Sequence, residues 1–371
     1  MSLYILGLIY FLFLSCVEFL IASRLKPYLF FFLGAVPLCI FLGFRFDVDQ
    51  DYYAYIRYFE IAPNLANFHQ GLQTYREQTS GVEIGFAVLA SLVRTLGFTP
   101  QGGLFVSAVI NILFVSILIL RYGRHYFFSL SIYYAVFLPT LFTHLRFSLC
   151  IPLGMLGYLL WMERKRKWAI FLMIFSASFH LTGLIYIATS LLSSFLNRFS
   201  ISFIGGMSIF LSLILLAPIE LRPVLNYGLS LIAERYEFYS NSEGAGPAAA
   251  FLRLAILFVF MVSLHIFKFE EKADPHEQVL GKQLFFAFSF SVVLWCLSTH
   301  IDIFYRLGLA LQASFVLIFP LLLRFEKTRT VVSHCCYFAM IAFLLAYLVY
   351  LSFTGSAVLY DYQVNFKIWG R

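Results

Sequence analysis

Two stretches near the start of the chain decide its fold class: FLFLSCVEFLIA, residues 11–22, and FFLGAVPLCIFLGF, residues 31–44. Both are apolar on every side, whereas the strands of a membrane β-barrel alternate between apolar and polar residues. In hydrocarbon, the backbone N–H and C=O groups must hydrogen-bond to one another, and a helix pairs them within a single segment. The pattern therefore predicts an all-α integral membrane protein.

The composition of the whole chain agrees with this prediction. Of 371 residues, 61% are hydrophobic and 12% are charged, whereas soluble domains have about 45–50% and about 25%. These values exclude a soluble globular enzyme and a disordered chain. The net charge of +7 is divided among short clusters between apolar runs, which indicates cytoplasmic loops rather than a nucleic-acid surface. All six cysteines lie in apolar runs, so we expect neither disulfides nor a cysteine-ligated metal.

Apolar segments recur along the chain and predict about 11–13 transmembrane helices in a single membrane domain, residues 1–371. They lie at 3–22, 27–44, 103–120, 127–143, 146–162, 168–196, 199–217, 250–267, 283–299, 304–323 and 331–353. Segment 81–97 is shorter and carries Glu83 and Arg94. Outer loops are expected at about 45–80 and 218–249, with an outer tail from about 354.

Basic clusters set the orientation, because lysine and arginine favour cytoplasmic loops. The clusters are Arg24/Lys26, Arg121/Arg124, Arg164 to Lys167, Lys268/Lys272/Lys282 and Arg324/Lys327/Arg329. Each full crossing changes the side of the membrane. All five clusters therefore lie on the cytoplasmic side only if segment 81–97 is a re-entrant or surface helix and segment 168–196 breaks into two arms around His180. Non-helical backbone at membrane depth must line a protein or water cavity. The topology thus predicts a polar cavity near Glu83 and His180.

Ionisable residues within or beside spans are the main functional signal, since a charge at the centre of a span costs about 2.5–3.5 kcal/mol on insertion scales. On the predicted topology they all lie at the outer side. They are Arg45 with Asp47, Asp49 and Asp51; Glu83; Arg146; His180; and Arg306.

Arg146 and Arg306 each begin a span, and their planar forks of donors suit phosphate oxygens. Snorkelling to lipid headgroups is the alternative for either one alone. His180 is a candidate base beside a predicted helix break, although a lone histidine in an apolar helix also packs as a core residue. His144, close to Arg146, is a second candidate of lower rank.

The loop after Arg45 contains three aspartates and several tyrosines. Interfacial anchoring explains tyrosines at a membrane boundary. The functional alternative is a sugar-binding rim formed by Asp47, Asp49, Tyr52 and Tyr55, because rings stack on sugars and carboxylates accept hydroxyl hydrogen bonds. An Asp-x-Asp pair is a weak metal signal. The chain lacks a P-loop, a dinucleotide-binding glycine fingerprint and an HExxH motif.

These residues together resemble the EpsG/Wzy-type bacterial polysaccharide polymerases. Members have an arginine, a Gly-x-Asp-Tyr, a Glu before Gly-aromatic, an arginine opening a span, a basic turn, a Phe-His and a late arginine. The matching residues are Arg45, Asp51, Tyr52, Tyr55, Phe59, Glu83, Gly85, Phe86, Arg146, the RKRK turn, Phe179, His180 and Arg306. Asp49 stands where the family usually has glycine, and Phe147 where glutamine is common.

The resemblance implies a metal-independent, GT-C-like glycosyltransferase without a cofactor. It would join oligosaccharide repeat units carried on undecaprenyl diphosphate at the periplasmic face of the inner membrane. Arg146, Arg306 and Arg45 would neutralise the leaving diphosphate. His180, Glu83 or Asp51 would activate the acceptor hydroxyl. Expected partners are the lipid-linked donor and acceptor, membrane lipids and a chain-length regulator, with no nucleic acid.

Three rivals stay open at this stage. One is a GT-C glycosyltransferase that uses a polyprenyl-phosphate sugar and a metal held by Asp47 and Asp49. Another is a ligase with the same donor and a lipid A core acceptor. The third is a transporter or flippase of lipid-linked glycans, which would need polar residues along a path through the membrane rather than at one side.

Overall fold

The computed structural model describes residues 2–21, 27–123, 125–196, 198–217, 247–266, 274–322, 342, 363–366 and 368. The described chain is almost entirely helical, which confirms the predicted all-α class. The helices are α1 (Ser2–Ile21), α2 (Pro27–Phe30), α3 (Val36–Gly43), α4 (Tyr52–Ile61), α5 (Phe68–Gln78), α6 (Ile84–Thr95), α7 (Pro100–Tyr122), α8 (Tyr126–Thr143), α9 (Leu145–Met162), α10 (Arg166–Phe179), α11 (Leu184–Leu196), α12 (Ile201–Leu216), α13 (Pro247–Ile266), α14 (Pro275–Leu297), α15 (Ile303–Leu311) and α16 (Phe315–Leu322).

Six described segments are long and apolar enough to cross a membrane: Leu3–Leu20, Pro100–Tyr122, Tyr126–Thr143, Leu145–Met162, Pro275–Leu297 and Ile303–Leu321. Shorter apolar helices are Pro27–Gly43, Ile84–Thr95, Leu181–Leu196, Ile201–Leu216 and Ala250–Met261. The protein is therefore a multi-pass membrane protein, as predicted.

Several predictions fall outside the described residues. They concern the span at 331–353, most of the loop at 218–249, most of the tail from 354, the cysteines Cys335 and Cys336, and the basic residues Arg24, Lys26, Arg124, Lys268, Lys272, Arg324, Lys327 and Arg329.

The chain divides into two compact units. The first comprises Met1–Leu156, Phe171–Gly183 and Phe319–Arg371. The second comprises Gly157–Ile170 and Leu184–Ile318. The single membrane domain expected from the sequence stays a prediction.

In the first unit, α1 packs on α8 and α3 packs on α7. A core of buried side chains joins α4, α6 and the start of α9, with Phe59, Phe86 and Leu149 among its members. This core fixes the ends of three helices whose polar residues form the candidate site.

A short antiparallel pair of strands joins residues 363–364 of the tail to the loop that begins at Arg45. In it, β1 (Arg45–Phe46) pairs with β2 (Gln363–Val364). The amide and hydroxyl of Thr99 both donate to the carbonyl of Ile368, at 2.8 and 2.9 Å. The described part of the tail therefore lies beside the start of the loop after Arg45, and the placement of both on the outer side stays a prediction.

The two segments on which the topology depends have the predicted form. Helix α6 has 12 residues, a length of about 18 Å, which is too short to cross a hydrocarbon core of about 30 Å. Its exposed face carries an apolar stripe, Ile84, Val88 and Leu92, and its predicted placement as a re-entrant or surface helix stays a prediction. The predicted break around His180 is confirmed, because α10 ends at Phe179 and a 3₁₀ turn, Leu181–Gly183, precedes α11.

In the second unit, α14 packs against α12, α13 and α15. The hydroxyl of Tyr186 on α11 donates to the carbonyl of Ala310 at 2.7 Å. Arg306 lies in α15 of this unit.

Candidate functional site

The closest charged pair of the candidate site joins α9 to α6. Arg146 is the second residue of α9, and Glu83 immediately precedes α6. Nη1 of Arg146 lies 2.6 Å from Oε2 of Glu83, and their side chains are only 18% and 15% exposed. A charge-assisted bond of this length is among the stronger hydrogen bonds in proteins. Two ionisable residues 63 positions apart are thus brought together, as the predicted convergence requires.

Two tyrosines of α4 surround the Arg146 guanidinium. Its central carbon lies 6.0 Å from the centre of the Tyr58 ring, and it hydrogen-bonds the Tyr55 side chain. Arginine can only donate, so the Tyr55 oxygen accepts. Burial raises the pKa of Tyr55, and the nearby Arg146 charge opposes that rise. The Nε–H group of Arg146 is buried and makes no hydrogen bond to the described residues.

A second pair of ionisable side chains lies between the end of α8 and the start of α4. His144 separates α8 from α9, and Asp51 precedes α4. Nδ1 of His144 lies 3.6 Å from Oδ2 of Asp51, and the side chains are 30% and 40% exposed. That distance suits an ion pair but exceeds a hydrogen bond. Since His144 is two residues from Arg146, the two pairs are adjacent.

Two buried residues, Arg45 and Asp49, lie next to the Asp51–His144 pair. Arg45 is 1% exposed and donates to the carbonyls of Leu42 and Phe142 at 3.1 and 3.2 Å. Its Nε lies 3.8 Å from Oδ2 of Asp49. Burial raises the pKa of Asp49, and the Arg45 charge offsets part of that effect.

The second oxygen of Asp49 positions the Asp51 backbone. Oδ1 of Asp49 accepts the amide hydrogen of Asp51 at 2.9 Å. A line of contacts therefore runs from Arg45 through Asp49 and Asp51 to His144. Arg45 is buried among these contacts, and its predicted role toward a diphosphate stays a prediction.

The predicted sugar-binding rim is only partly accessible. Tyr52 and Tyr55 are 2% and 6% exposed, whereas Tyr53 is 59% exposed. Stacking on a sugar needs an open ring face, which Tyr53 has and the two predicted tyrosines lack. Tyr52 instead donates to Oε1 of Gln101 at 2.8 Å, and burial raises its pKa to about 12. Asp47 adopts a positive φ of 47° and hydrogen-bonds Tyr53 at the surface.

His180 lies at the break between α10 and the 3₁₀ turn. Its Nδ1 accepts the amide hydrogen of Thr182 at 3.3 Å and lies 2.8 Å from the Thr182 hydroxyl. Its ring lies 5.3 Å from that of Phe147. A Cβ at Gly85 would collide with Ser178, so the start of α6 packs directly on the end of α10. His180 therefore lies at the same end of the first unit as Glu83.

Arg306 belongs to the second unit, so its predicted convergence with Arg146 stays a prediction. Sequence reasoning also passed over two buried ionisable residues. Glu18 in α1 accepts the amide hydrogens of Tyr126 and Phe127 at 2.6 and 2.9 Å, and thereby caps α8. Arg253 in α13 stacks on Trp295, with its guanidinium carbon 3.1 Å from the ring centre. The sequence could have identified both, since each is an ionisable residue within an apolar run.

Among the residues that the structure describes, no three His, Cys, Asp or Glu side chains are grouped as metal ligands. Asp47 and Asp49, the predicted metal pair of the rival hypothesis, face different partners: Tyr53 at the surface and Arg45 in the interior.

The fold and the site define a multi-pass helical membrane protein with carboxylates, imidazoles and a guanidinium gathered at one end of its first unit. The chain belongs to the EpsG family, whose model matches residues 28–364. Membership in this family supports a polymerase-type glycosyltransferase role in polysaccharide biosynthesis. No curated protein and no solved structure matches the chain.

Proposed function

We propose that the protein is a polysaccharide polymerase that joins oligosaccharide repeat units carried on undecaprenyl diphosphate. The reaction takes place at the periplasmic face of the inner membrane, and the substrates are a lipid-linked donor and a lipid-linked acceptor. The observation that carries the proposal is the Arg146–Glu83 pair, 2.6 Å apart, next to the Asp51–His144 pair. One small region thus offers a cation for a leaving diphosphate and a base for an acceptor hydroxyl.

Arg146 is the group proposed to bind the diphosphate. A guanidinium has five N–H donors, and the bonds to Glu83 and Tyr55 fix its plane. The buried Nε–H makes no hydrogen bond to any residue that the structure describes, and a phosphate oxygen would satisfy this donor after a small side-chain movement. Neutralising charge as it develops on the leaving group is worth several kcal/mol in other enzymes. Arg306 is proposed as the second cation.

The two histidines are proposed to have opposite roles, because Nδ1 of His144 faces a hydrogen-bond acceptor and Nδ1 of His180 faces a hydrogen-bond donor. The Asp51 carboxylate faces Nδ1 of His144 and favours the tautomer with a proton there, which leaves a lone pair on Nε2. The Thr182 amide donates to Nδ1 of His180, so neutral His180 carries its proton on Nε2. His144 is therefore suited to act as a base and His180 as a hydrogen-bond donor.

The proposed step transfers the glycan in a single displacement at each linkage formed. Nε2 of His144 takes the proton of the acceptor hydroxyl as that oxygen bonds to the anomeric carbon of the donor. The bond from the anomeric carbon to the diphosphate oxygen breaks, and its electron pair stays on the diphosphate. Arg146 stabilises that charge, while Glu83 and Tyr55 hold Arg146 in place.

The test is reconstitution with defined substrates. Purified full-length protein is incubated with synthetic lipid-linked repeat units, with and without EDTA, and products are resolved on a ladder gel. The proposal expects a ladder in both samples. A ladder that EDTA abolishes and Mn²⁺ or Mg²⁺ restores would favour the metal-dependent rival, and movement of unpolymerised substrate across the bilayer would favour a transporter.

A further inference from the structure

A groove of about 650 Å³ lies along one face of α5. Its lining residues on the helix are spaced three or four positions apart, which places them on a single side. They are His69, Leu72, Gln73, Arg76 and Glu77, and Gly81, beyond the helix, also lines the groove. The volume falls within the 300–1,000 Å³ that is usual for sites binding small organic ligands.

The lining of the groove is polar but nearly balanced in charge. Arg76 and Glu77 carry opposite charges, and the Gln73 amide donates to Oε1 of Glu77 at 3.1 Å. Leu72 is half-buried and contributes an apolar surface. Planar amide, carboxylate and guanidinium groups beside an apolar surface suit a ligand with many hydroxyl groups and apolar ring faces.

The helix that carries the groove is hydrogen-bonded to segments of the candidate site. Nε of Arg76 donates to the carbonyl of Val82 at 3.2 Å, and Val82 immediately precedes Glu83. The amide of Gly81 donates to the carbonyl of Arg76 at 2.7 Å. On the buried side of α5, the Tyr75 hydroxyl donates to the carbonyl of Tyr58, whose ring faces Arg146. The helix that carries the groove is therefore fixed against Val82, the residue before Glu83, and against Tyr58, which faces Arg146.

We propose that this groove binds the oligosaccharide of a lipid-linked substrate, at sugars that extend away from the reacting bond. The inference rests on the proposed function, because a polymerase must hold glycan on either side of the new linkage. The ligand class is an uncharged or weakly charged oligosaccharide. The groove determines how well the glycan binds, and the Arg146 region carries out the transfer.

The experiment uses matched substitutions on one helix. Gln73→Ala removes a groove side chain, and Gln70→Ala removes the same side chain from an exposed position outside the groove. The probe is the lipid-free oligosaccharide repeat, released from the polysaccharide of the producing cells. Its binding to full-length protein in detergent is measured by saturation-transfer NMR and calorimetry. Gln73→Ala should weaken binding at least fivefold and raise the KM for lipid-linked repeats, whereas Gln70→Ala should match wild type.

A second matched pair is Glu77→Gln in the groove against Glu60→Gln at an exposed position of α4. Equal oligosaccharide binding by the groove variants and their controls, or no binding by wild type, overturns the inference. If wild type fails to polymerise but Gln73→Ala and Glu77→Gln still weaken oligosaccharide binding, the groove is an oligosaccharide site and the proposed function is wrong. If wild type polymerises and all four variants bind oligosaccharide equally, the proposed function is supported and the groove is not an oligosaccharide site.

Discussion

Nη1 of Arg146 and Oε2 of Glu83 lie 2.6 Å apart, and this contact joins the first turn of α9 to the residue before α6. A guanidinium held in this way is oriented before substrate arrives, so little reorganisation is needed during the reaction. The pair therefore makes Arg146 the residue whose loss should affect chemistry most directly.

Arg146→Ala should reduce polymerisation on the order of 10²–10³-fold, the usual cost of removing one charge-stabilising group. The measurement is glycan length on ladder gels from cells in which protein level is matched by immunoblot. Arg146→Lys keeps a cation beside Glu83 and should preserve protein level while it loses the planar fork. Arg57→Ala, an exposed arginine in α4, is the control and should leave long chains. Long chains in Arg146→Ala cells would contradict the proposal.

The two histidines can be separated by glutamine substitution. His144→Gln removes the only proposed base, so we expect a loss of about 10²–10⁴-fold in rate. His180→Gln retains an N–H donor near the position of Nε2 and should keep a larger share of activity.

The initial rate of ladder formation by purified protein with synthetic lipid-linked repeat units measures this difference. The rate of His180→Gln should lie well above that of His144→Gln. Asp51→Asn removes the carboxylate 3.6 Å from Nδ1 of His144 and should also lower the rate. A rate for His144→Gln equal to that of wild type would assign the base elsewhere.

Glu18 should matter for stability rather than for chemistry. Glu18→Ala removes a carboxylate that accepts the amide hydrogens of Tyr126 and Phe127. Each hydrogen bond contributes about 0.5–1.5 kcal/mol, so the melting temperature in detergent should fall by several degrees. Glu60→Ala, at an exposed position, should leave it unchanged. Equal melting temperatures for Glu18→Ala and wild type would show that the cap contributes nothing measurable.

His125 predicts a pH dependence of stability. It lies in the turn between α7 and α8, where burial lowers its pKa from 6.5 to about 4. Between these values the unfolded chain binds more protons than the folded one, so stability falls as the pH falls from 6.5 to 4. At about 1.36 kcal/mol per pKa unit, the loss approaches about 3 kcal/mol.

The comparison for His125 is thermal unfolding at pH 7.5 and pH 5. Wild type should lose more stability between these conditions than His125→Gln does. His276→Gln, at an exposed position of α14, should behave as wild type. An identical pH dependence in His125→Gln and wild type would show that another group dominates acid sensitivity.

The sequence was sufficient to predict the helical membrane fold, the short helix after Glu83 and the break at His180. Each follows from hydrophobic length, basic clusters and the requirement that buried backbone be hydrogen-bonded. The convergence of Arg146 with Glu83 was also predictable, because ionisable residues in spans seek polar partners.

Other features could not be predicted from the sequence, because they depend on how side chains pack. Whether a tyrosine near the membrane boundary is buried, as Tyr52 is, or open, as Tyr53 is, depends on which side of α4 meets the core. The roles proposed for His144 and His180 depend on which atom faces Nδ1, a detail of about one ångström. The partner of Glu18 is a set of backbone amides, which leaves no pattern of residue types to recognise.

The cap that Glu18 provides has a consequence for biogenesis. The amide of Tyr126 is synthesised 108 residues after the carboxylate that binds it. During that interval α1 carries an acidic side chain, and the backbone amides that will bind it have not yet been synthesised. Helix α1 can therefore dock on α8 only after α8 has been synthesised.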